Sequence, residues 1–245
     1  MKRTKLADRR LPDYTRGEEI MNMVTHIVGG ALGITALVLC VIRSALNGNL
    51  TGLLTSIFYG VTMIATYTMS SVYHGLHPGT GKKVLQIIDH CTIYSLIAGT
   101  YTPIVLTVIA PKYPLIGWGL FAAEWLLAAL ATTLTAIDLK KYEVFSMICY
   151  VGMGWGIAFF FPQTLEVMTF PGFMLLLGGG ISYTVGAILF GIGCKVRWMH
   201  SVFHIFVLSA ACSNSLPFSS TYYNIKSARC GRIGQILLFF CINTL

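Results

Sequence analysis

Charged side chains are scarce in this sequence of 245 residues: only 11% are Asp, Glu, Lys or Arg, whereas 55% are hydrophobic. A soluble domain usually carries about 25% charged residues, so the scarcity argues against an ordinary water-soluble domain. Nine acidic residues face 17 Lys and Arg, which gives a net charge of +8. These basic residues form short clusters between apolar segments and no single patch, a pattern that is typical of membrane-protein loops and argues against a nucleic-acid partner.

Paired cysteines and a cleavable leader are also missing. The seven cysteines lack paired spacing, and Cys40, Cys91 and Cys149 lie within apolar segments, where a free cysteine behaves as a small hydrophobic residue. We therefore expect no disulfide framework. The N-terminus is basic and polar through Glu19, with no short apolar core before a small-residue cleavage site. It is interpreted as a retained cytoplasmic tail.

Long apolar runs are what the chain has instead. A membrane helix needs roughly 20 mostly apolar residues, and short polar turns join such runs along the whole chain. The sequence therefore predicts an all-α fold, an integral membrane seven-helix bundle. The predicted spans lie near Met21–Arg43, Leu50–Tyr73, Val84–Ile109, Leu115–Ile137, Val144–Phe161 and Phe170–Ile192, with a seventh beginning near Trp198. The segment from Pro162 to Pro171 is predicted to be a loop.

The orientation follows from the basic residues. The N-terminal tail and every second loop after it are basic, whereas the alternate loops carry one basic residue each or, between Pro162 and Pro171, none. This bias predicts a cytoplasmic N-terminus and, with seven spans, an external C-terminus. The predicted location is the cell membrane, as a multi-pass protein. The predicted organisation is a cytoplasmic tail at 1–17, a seven-span membrane domain at 18–210 and an atypical tail at 211–245.

Ionisable residues of four helices are predicted to meet at the cytoplasmic end. His74 ends the second span, Asp89 begins the third, and the pair His200 and His204 begins the seventh. His26 opens the first span from the same side. Ionisable groups within spans are costly and are therefore candidates for function.

The histidine spacing points to a metal. His200 and His204 are four residues apart, so their rings share one face of a helix and can hold one ion. Zinc accepts neutral imidazole, and a catalytic site often has three protein ligands and a water; His74 would be the third ligand. Ser70 lies one turn before His74. Asp89 could orient the water or accept its proton, because zinc lowers the pKa of bound water to about 7.

These residues also have ordinary structural interpretations. A histidine near the end of a span is often an interfacial or capping group, which is the interpretation we favour for His77 and His90. Asp89 could instead pair with Lys82 or Lys83.

The remaining carboxylates have weaker signals. Glu18 and Glu19 could simply favour a helix N-terminus through its dipole. Glu124 lies within the fourth span and is expected to face the bundle interior, with no role that the sequence assigns.

Taken together, these motifs resemble the haemolysin III family, the bacterial branch of the progestin and adiponectin receptor superfamily. The resemblance covers roughly residues 15 to 210. The matching pieces are Glu19-Ile20-Met21-Asn22 with His26, Ser70 with His74, Asp89-His90, and His200-x-x-x-His204. The resemblance implies a seven-span bundle in a bacterial plasma membrane, with zinc held by His74, His200 and His204 and the site completed by Ser70 and Asp89.

Two functions follow from the resemblance. Receptors of the superfamily look like ceramide-cleaving hydrolases, which implies zinc-dependent hydrolysis of a lipid amide by a hydrolase with a membrane lipid as substrate. The alternative is a non-enzymatic protein, either receptor-like or cytolytic and pore-forming, with a structural zinc. Neither the substrate nor the oligomeric state follows from the sequence.

The C-terminus departs from the family pattern. The seventh span begins with an apolar run, but Asn214-Ser215 and Pro217 interrupt it before any ~20-residue apolar length is reached. One back-translation of residues 211 to 224, read in another frame, gives an aromatic, apolar ending followed by a stop. We therefore expect a truncated seventh helix and hypothesise a frameshift that makes residues 211–245 an unrelated tail; a nucleotide sequence with an intact, homologous ending would contradict it.

Overall fold

The structure, a computed structural model, describes residues 3–193 and 196–221, and all of their side chains except those of 212 and 214–221. Within this described part the chain is helical and contains no strand. The helices are α1 Arg16–Leu46, α2 Leu50–Gly75, α3 Thr80–Ile104, α4 Pro114–Ile137, α5 Glu143–Gly154, α6 Phe161–Val167, α7 Phe170–Gly193 and α8 Met199–Thr221. A π-helical turn at Val105–Ile109 continues α3, and a 3₁₀ segment at Gly156–Phe160 joins α5 to α6.

Among the described residues, six segments are long and apolar enough to cross a membrane, and they confirm the six complete spans predicted from the sequence. Their outer surface is apolar: Ile27 and Phe58 are each 54% exposed and Leu126 is 71% exposed. Large continuous apolar surfaces of this kind are rare on soluble monomers, so the fold is a helical membrane bundle. The six segments are Arg16–Leu46, Leu50–Gly75, Thr80–Ile109, Pro114–Ile137, Glu143–Val167 and Phe170–Gly193.

The fifth span is longer than predicted and is interrupted. The predicted span ended at Phe161 and the predicted loop began at Pro162, but Pro162 lies in the first turn of α6. Proline is tolerated there because the first backbone N–H groups of a helix have no partner within that helix. The prediction of a loop from Pro162 was therefore wrong for the residues up to Val167.

The seventh span is only partly as predicted. Met199–Ala211 forms an apolar helix; the side chains of 212 and 214–221 lie outside the described part, so the truncation of the apolar span stays a prediction. The predicted break at Asn214 and Pro217 was wrong, however, because helical backbone continues to Thr221. Residues 222–245 lie outside the described part, so the hypothesis of an unrelated tail at 211–245 stays a prediction.

Consecutive long helices pack side by side, and α8 packs against both α7 and α1, which closes the bundle. The helix α3 contacts α2, α4, α5 and α8 and therefore lies at the centre. Close approach of α1 and α2 depends on glycines that face bulky side chains. A Cβ on Gly29 would lie 2.9 Å from the Tyr67 ring, and one on Gly60 would lie 2.5 Å from Leu37. Small residues at helix contacts let backbones approach in this way.

One end of the bundle gathers the predicted site and is called the histidine end here, after His74, His200 and His204. It contains the start of α1, which the side chain of Thr15 and the carboxylate of Glu18 cap reciprocally. The end of α2 and the starts of α3 and α8 lie there too. The side of the membrane that this end faces stays a prediction based on its basic loops.

The N-terminal segment, residues 3–14, lies across the histidine end. The backbone N–H of Thr4 donates to Asp138 Oδ2 at 2.8 Å, and Arg3 Nε donates to the carbonyl of Ile137 at 2.8 Å. Lys83 Nζ donates to the carbonyl of Ala7 at 2.6 Å. This segment is therefore tied to the starts and ends of several helices at once.

Candidate metal centre

The three predicted zinc ligands converge. His74 comes from α2, His200 and His204 come from α8, and all three are buried. One ring nitrogen from each lies within 4.8 Å of the other two. Within the described part this is the one group of three His, Cys, Asp or Glu residues with such spacing. The site is therefore formed by two helices, α2 and α8, whose histidines lie more than 120 residues apart in the sequence.

The helix α1 fixes the position of α8. Trp198, just before α8, has a φ of 65°, and its backbone N–H donates to Glu18 Oε1 at 2.7 Å. One turn further along α1, Asn22 Oδ1 accepts a hydrogen bond of 2.6 Å from Ser201 Oγ. These contacts lie on either side of His200 and set the rotation of the helix that carries both ligands.

The orientation of His74 is set by a partly buried ion pair. Its Nδ1 lies 2.7 Å from Glu19 Oε2, and Lys82 Nζ lies 2.7 Å from Glu19 Oε1. Because a carboxylate only accepts hydrogen bonds, Nδ1 carries a proton and a neutral ring presents the lone pair of Nε2. This Nε2 is buried and has no partner among the described residues. A carboxylate behind a histidine ligand is the usual arrangement in zinc sites.

The nitrogen positions fit a zinc ion. His204 Nε2 lies 3.1 Å from His200 Nε2, whereas two nitrogens bound to one tetrahedral zinc at 2.0–2.1 Å lie about 3.3 Å apart. The other ring nitrogen of His204, Nδ1, is 3.3 Å from Thr25 Oγ1. The unpartnered Nε2 of His74 completes a donor set of three neutral imidazoles, which zinc accepts readily. The residues present therefore fit the metal that the sequence implies.

Ser70 and Asp89 lie beside the histidines. Ser70 lies on α2, one turn before His74, and Asp89 lies on α3. Both line one cavity together with His200 and His204. The alternative that Asp89 pairs with Lys82 or Lys83 is not supported, because Lys82 binds Glu19 and Lys83 binds a backbone carbonyl.

Other histidines separate into different environments. His77 is exposed in the turn after α2, in keeping with the interfacial interpretation. His90 instead lines the cavity, with its ring centroid 5.8 Å from that of Phe190. His26 packs against the cluster: its ring centroid lies 3.9 Å from that of His204, with the rings at 81°.

The cavity has a volume of about 840 Å³, within the size range of small-molecule sites. Polar groups line it at the histidine end, including Ser70, Asp89 and His200. Away from that end it is lined by apolar side chains such as Ile104 and Phe173. The shape and polarity of the cavity suit an amphipathic molecule with its polar group beside the histidines.

The N-terminal segment covers the histidine end of the cavity. Residues 8–14 line it, and the Tyr14 ring stacks on the His200 ring with centroids 5.1 Å apart and planes at 25°. The segment is anchored outside the membrane spans at Asp138, where the hydrogen bond from the Thr4 backbone lowers the pKa of the carboxyl group. Sequence reasoning treated residues 1–17 only as a tail, since nothing local in its composition signals this docking.

Glu124 is separate from the cluster. It is 5% exposed, as expected for a residue that faces the interior, and its Oε2 has no partner among the described residues. It lies beside the interruption of the fifth span, where a Cβ on Gly156 would be 2.8 Å from Glu124 Oε1. Glu124 therefore lies beside the break between α5 and the 3₁₀ segment and not at the histidine end.

The fold and the site define a polytopic helical membrane protein with a buried three-histidine cluster at one end. The family model described as Haemolysin-III related matches residues 14–214, and the chain belongs to this family. Its curated relatives include Hemolysin-3 of Bacillus cereus, which is 38% identical over 86% of this chain and 94% of that protein. The Hemolysin-3 homolog of Bacillus subtilis (strain 168) is 34% identical, over 87% and 97%.

A more distant relative is the Monocyte to macrophage differentiation factor of Homo sapiens, 28% identical over 64% of this chain and 66% of that protein. No solved structure matches the chain significantly. Together with the six spans, the bacterial relatives support a multi-pass protein of a bacterial plasma membrane.

Proposed function

We propose that this protein is a zinc-dependent hydrolase that cleaves the amide bond of a membrane lipid such as a ceramide. The observation that carries the proposal is the meeting of three imidazoles, a carboxylate and an apolar cavity at one point in the bundle. His74, His200 and His204 would hold the ion. A bound zinc ion supplies Lewis acidity, which polarises a carbonyl group and makes water more acidic.

The protein's own groups account for the remaining requirements. Asp89 lies at the polar end of the cavity and would accept the proton of the attacking water as general base. Ser70 lines the same cavity as Asp89 and would donate a hydrogen bond to its carboxylate, which would fix the rotation of that group. After attack, the same carboxyl group could return the proton to the nitrogen of the leaving amine. Positioning of a base in this way typically contributes 10²- to 10⁴-fold to a rate.

The apolar length of the cavity supports a lipid as substrate. An acyl chain would lie among side chains such as Ile104 and Phe173, with its carbonyl near His200 and Asp89. The docked N-terminal segment, with Tyr14 over His200, would exclude bulk water from this point. Exclusion of water strengthens the electrostatic interactions inside a site.

The test is hydrolysis by the detergent-purified, zinc-loaded protein of a ceramide with a fluorescent acyl chain. We expect release of the fatty acid, and about 10²- to 10⁴-fold slower release by Asp89→Asn with zinc content unchanged. His200→Ala and His204→Ala should lose both zinc and activity. Glu166→Gln, which changes an exposed carboxylate paired with Lys112 at the other end, is the control. Absence of release by zinc-loaded protein, or full activity of Asp89→Asn, would contradict the proposal.

A cytolytic function is the second candidate, favoured by the name of the Bacillus cereus relative, Hemolysin-3. A pore would need polar groups along the length of the bundle, whereas the buried ionisable groups of the described residues gather at the histidine end, apart from Glu124. The enzyme therefore ranks first. Release of dye from lipid vesicles separates the two, because a pore with a structural zinc should leak equally with Asp89→Asn.

A further inference from the structure

His26 is a buried histidine whose two ring nitrogens have no hydrogen-bond partner among the described residues. It is 6% exposed and lies on α1, with its ring edge against His204 and its centroid 5.3 Å from that of Tyr67. A neutral imidazole has one donor and one acceptor. Buried polar groups are nearly always paired, so an orphan of this kind needs an explanation.

No neighbouring polar group on the same helix is hydrogen-bonded to His26. Asn22 Oδ1 accepts from Ser201, while Asn22 Nδ2 has no partner among the described residues. Thr25 Oγ1 donates to backbone carbonyls one turn back and lies 3.3 Å from His204 Nδ1. The open direction is the cavity, which His26 lines together with His200 and His204. A partner for His26 therefore comes from whatever occupies the cavity at this point.

We propose that His26 contacts the ligand directly: it hydrogen-bonds an oxygen of the polar group that a cavity-bound amphiphile places beside His204. The inference deepens the proposed function and rests on its cavity and metal site. His26 is not part of the group of three histidines whose nitrogens lie within 4.8 Å of one another, so we assign it to the ligand and not to the metal. The ligand class is an acyl chain that ends in a carbonyl-type oxygen.

The test uses full-length protein loaded with Co²⁺, whose visible spectrum reports the ligands of the metal, and octanohydroxamate as the probe. The His26→Phe and His26→Gln variants are titrated beside the unmodified protein. Loss of one hydrogen bond predicts about tenfold weaker binding to His26→Phe. His26→Gln keeps an amide donor and acceptor and should recover part of that loss.

A control is Thr133→Val. Thr133 lies on α4 outside the cavity lining, and its hydroxyl donates to the carbonyl of Ala129 at 2.8 Å. Its substitution should therefore leave the affinity for octanohydroxamate unchanged. If His26→Phe does not yield folded protein, His26→Leu replaces it.

Three results would overturn the inference. Loss of cobalt, or a changed cobalt spectrum without the probe, in both His26 variants would make His26 a metal ligand. Unchanged affinity of His26→Phe for octanohydroxamate would show that His26 does not contact the ligand. Failure of the unmodified protein to bind octanohydroxamate would contradict the proposed ligand class. The titration needs no turnover, so absence of amide hydrolysis would contradict the proposed function while leaving this result standing.

Discussion

Glu19 binds His74 from behind, with its Oε2 2.7 Å from Nδ1, while its other oxygen binds Lys82 at 2.7 Å. Glu19, held by Lys82, thus fixes the orientation of the His74 ring. Thr25 orients the His204 ring more weakly, through a longer contact of 3.3 Å. Because the contact with Glu19 fixes the tautomer and the ring plane of His74, it points Nε2 at the two histidines of α8. The first turn of α1 is therefore part of the candidate metal centre.

We expect Glu19→Gln to weaken zinc binding by about 10- to 100-fold, as is usual for partners of metal-ligating histidines. An amide can still accept from Nδ1, but it removes the negative charge that makes the ring a better ligand. The measurement is competition for zinc with a chromophoric chelator. Glu166→Gln is the control, since it neutralises an exposed carboxylate far from the site.

A second variant separates metal binding from stability. Lys82→Met leaves Glu19 on His74 but removes the buried ammonium group, which is 3% exposed. It should lower the midpoint of thermal unfolding more than the zinc affinity. Equal zinc affinity of Glu19→Gln and unmodified protein would show that the carboxylate does not support the ligand.

Much of the site could be predicted because its signals are local. The four-residue spacing of His200 and His204, and the position of His74 at the end of an apolar run, are visible in the sequence and were confirmed as a cluster. The role of Glu19 was missed. A carboxylate in the first turn of a helix is already explained by the helix dipole, so nothing in the sequence pointed to another role. The contact of Glu19 with His74 joins residues 55 positions apart, and no local pattern indicates it.

The irregular parts of the fold were the least predictable. The break at Gly156–Phe160 lies within a continuous apolar run, so hydropathy could not locate it. Pro162 and Pro217 were both interpreted as interruptions, yet both lie within helices of the structure. Pro162 lies in the first turn of α6, where no intrahelical hydrogen bond is lost, and at Pro217 the loss of one backbone hydrogen bond does not end the helix.

The docked N-terminal segment should control access to the metal. We expect Asp138→Asn to speed the extraction of zinc by a membrane-impermeant chelator, because it weakens the acceptor for the Thr4 backbone N–H. Deletion of residues 3–12 should have a larger effect in the same direction. The measurement is the rate of zinc loss at a fixed chelator concentration. A rate equal to that of unmodified protein in both variants would exclude a covering role.

The same contact predicts how docking depends on pH. The pKa of Asp138 is lowered in the folded protein, so its ionised form binds the segment above the ordinary value of 3.8, and the contribution is lost only as the pH falls through the lowered pKa. Docking should therefore be constant between about pH 5 and 8. Hydrogen exchange at the Thr4 amide, corrected for the intrinsic rate at each pH, measures this directly; a change in protection within that range would contradict the assignment.

Packing of α1 on α2 should depend on Gly60. A Cβ at this position would lie 2.5 Å from the Leu37 side chain, so Gly60→Ala should destabilise the protein by about 1–3 kcal/mol through overpacking. The control is Gly152→Ala on α5, where nothing lies within 4 Å of the added carbon. There alanine favours the helix by up to about 1 kcal/mol. The midpoint of thermal unfolding in detergent should be lowest for Gly60→Ala and highest for Gly152→Ala, with the unmodified protein between them. The reverse order would contradict the close contact at Gly60.

Glu124 tests whether the bundle holds a second polar site. Its buried Oε2 lacks a partner among the described residues, and burial of an unpaired polar group is costly. Glu124→Gln replaces the carboxyl group at nearly constant shape, so we expect an unchanged zinc content and an equal or higher midpoint of thermal unfolding. Thr135→Val is a useful comparison, because the Thr135 hydroxyl is fully buried and bonded to Tyr94 at 2.9 Å, so its loss should lower the midpoint. A marked loss of stability in Glu124→Gln would instead mean that the carboxylate binds a cation or a proton donor at the break of the fifth span.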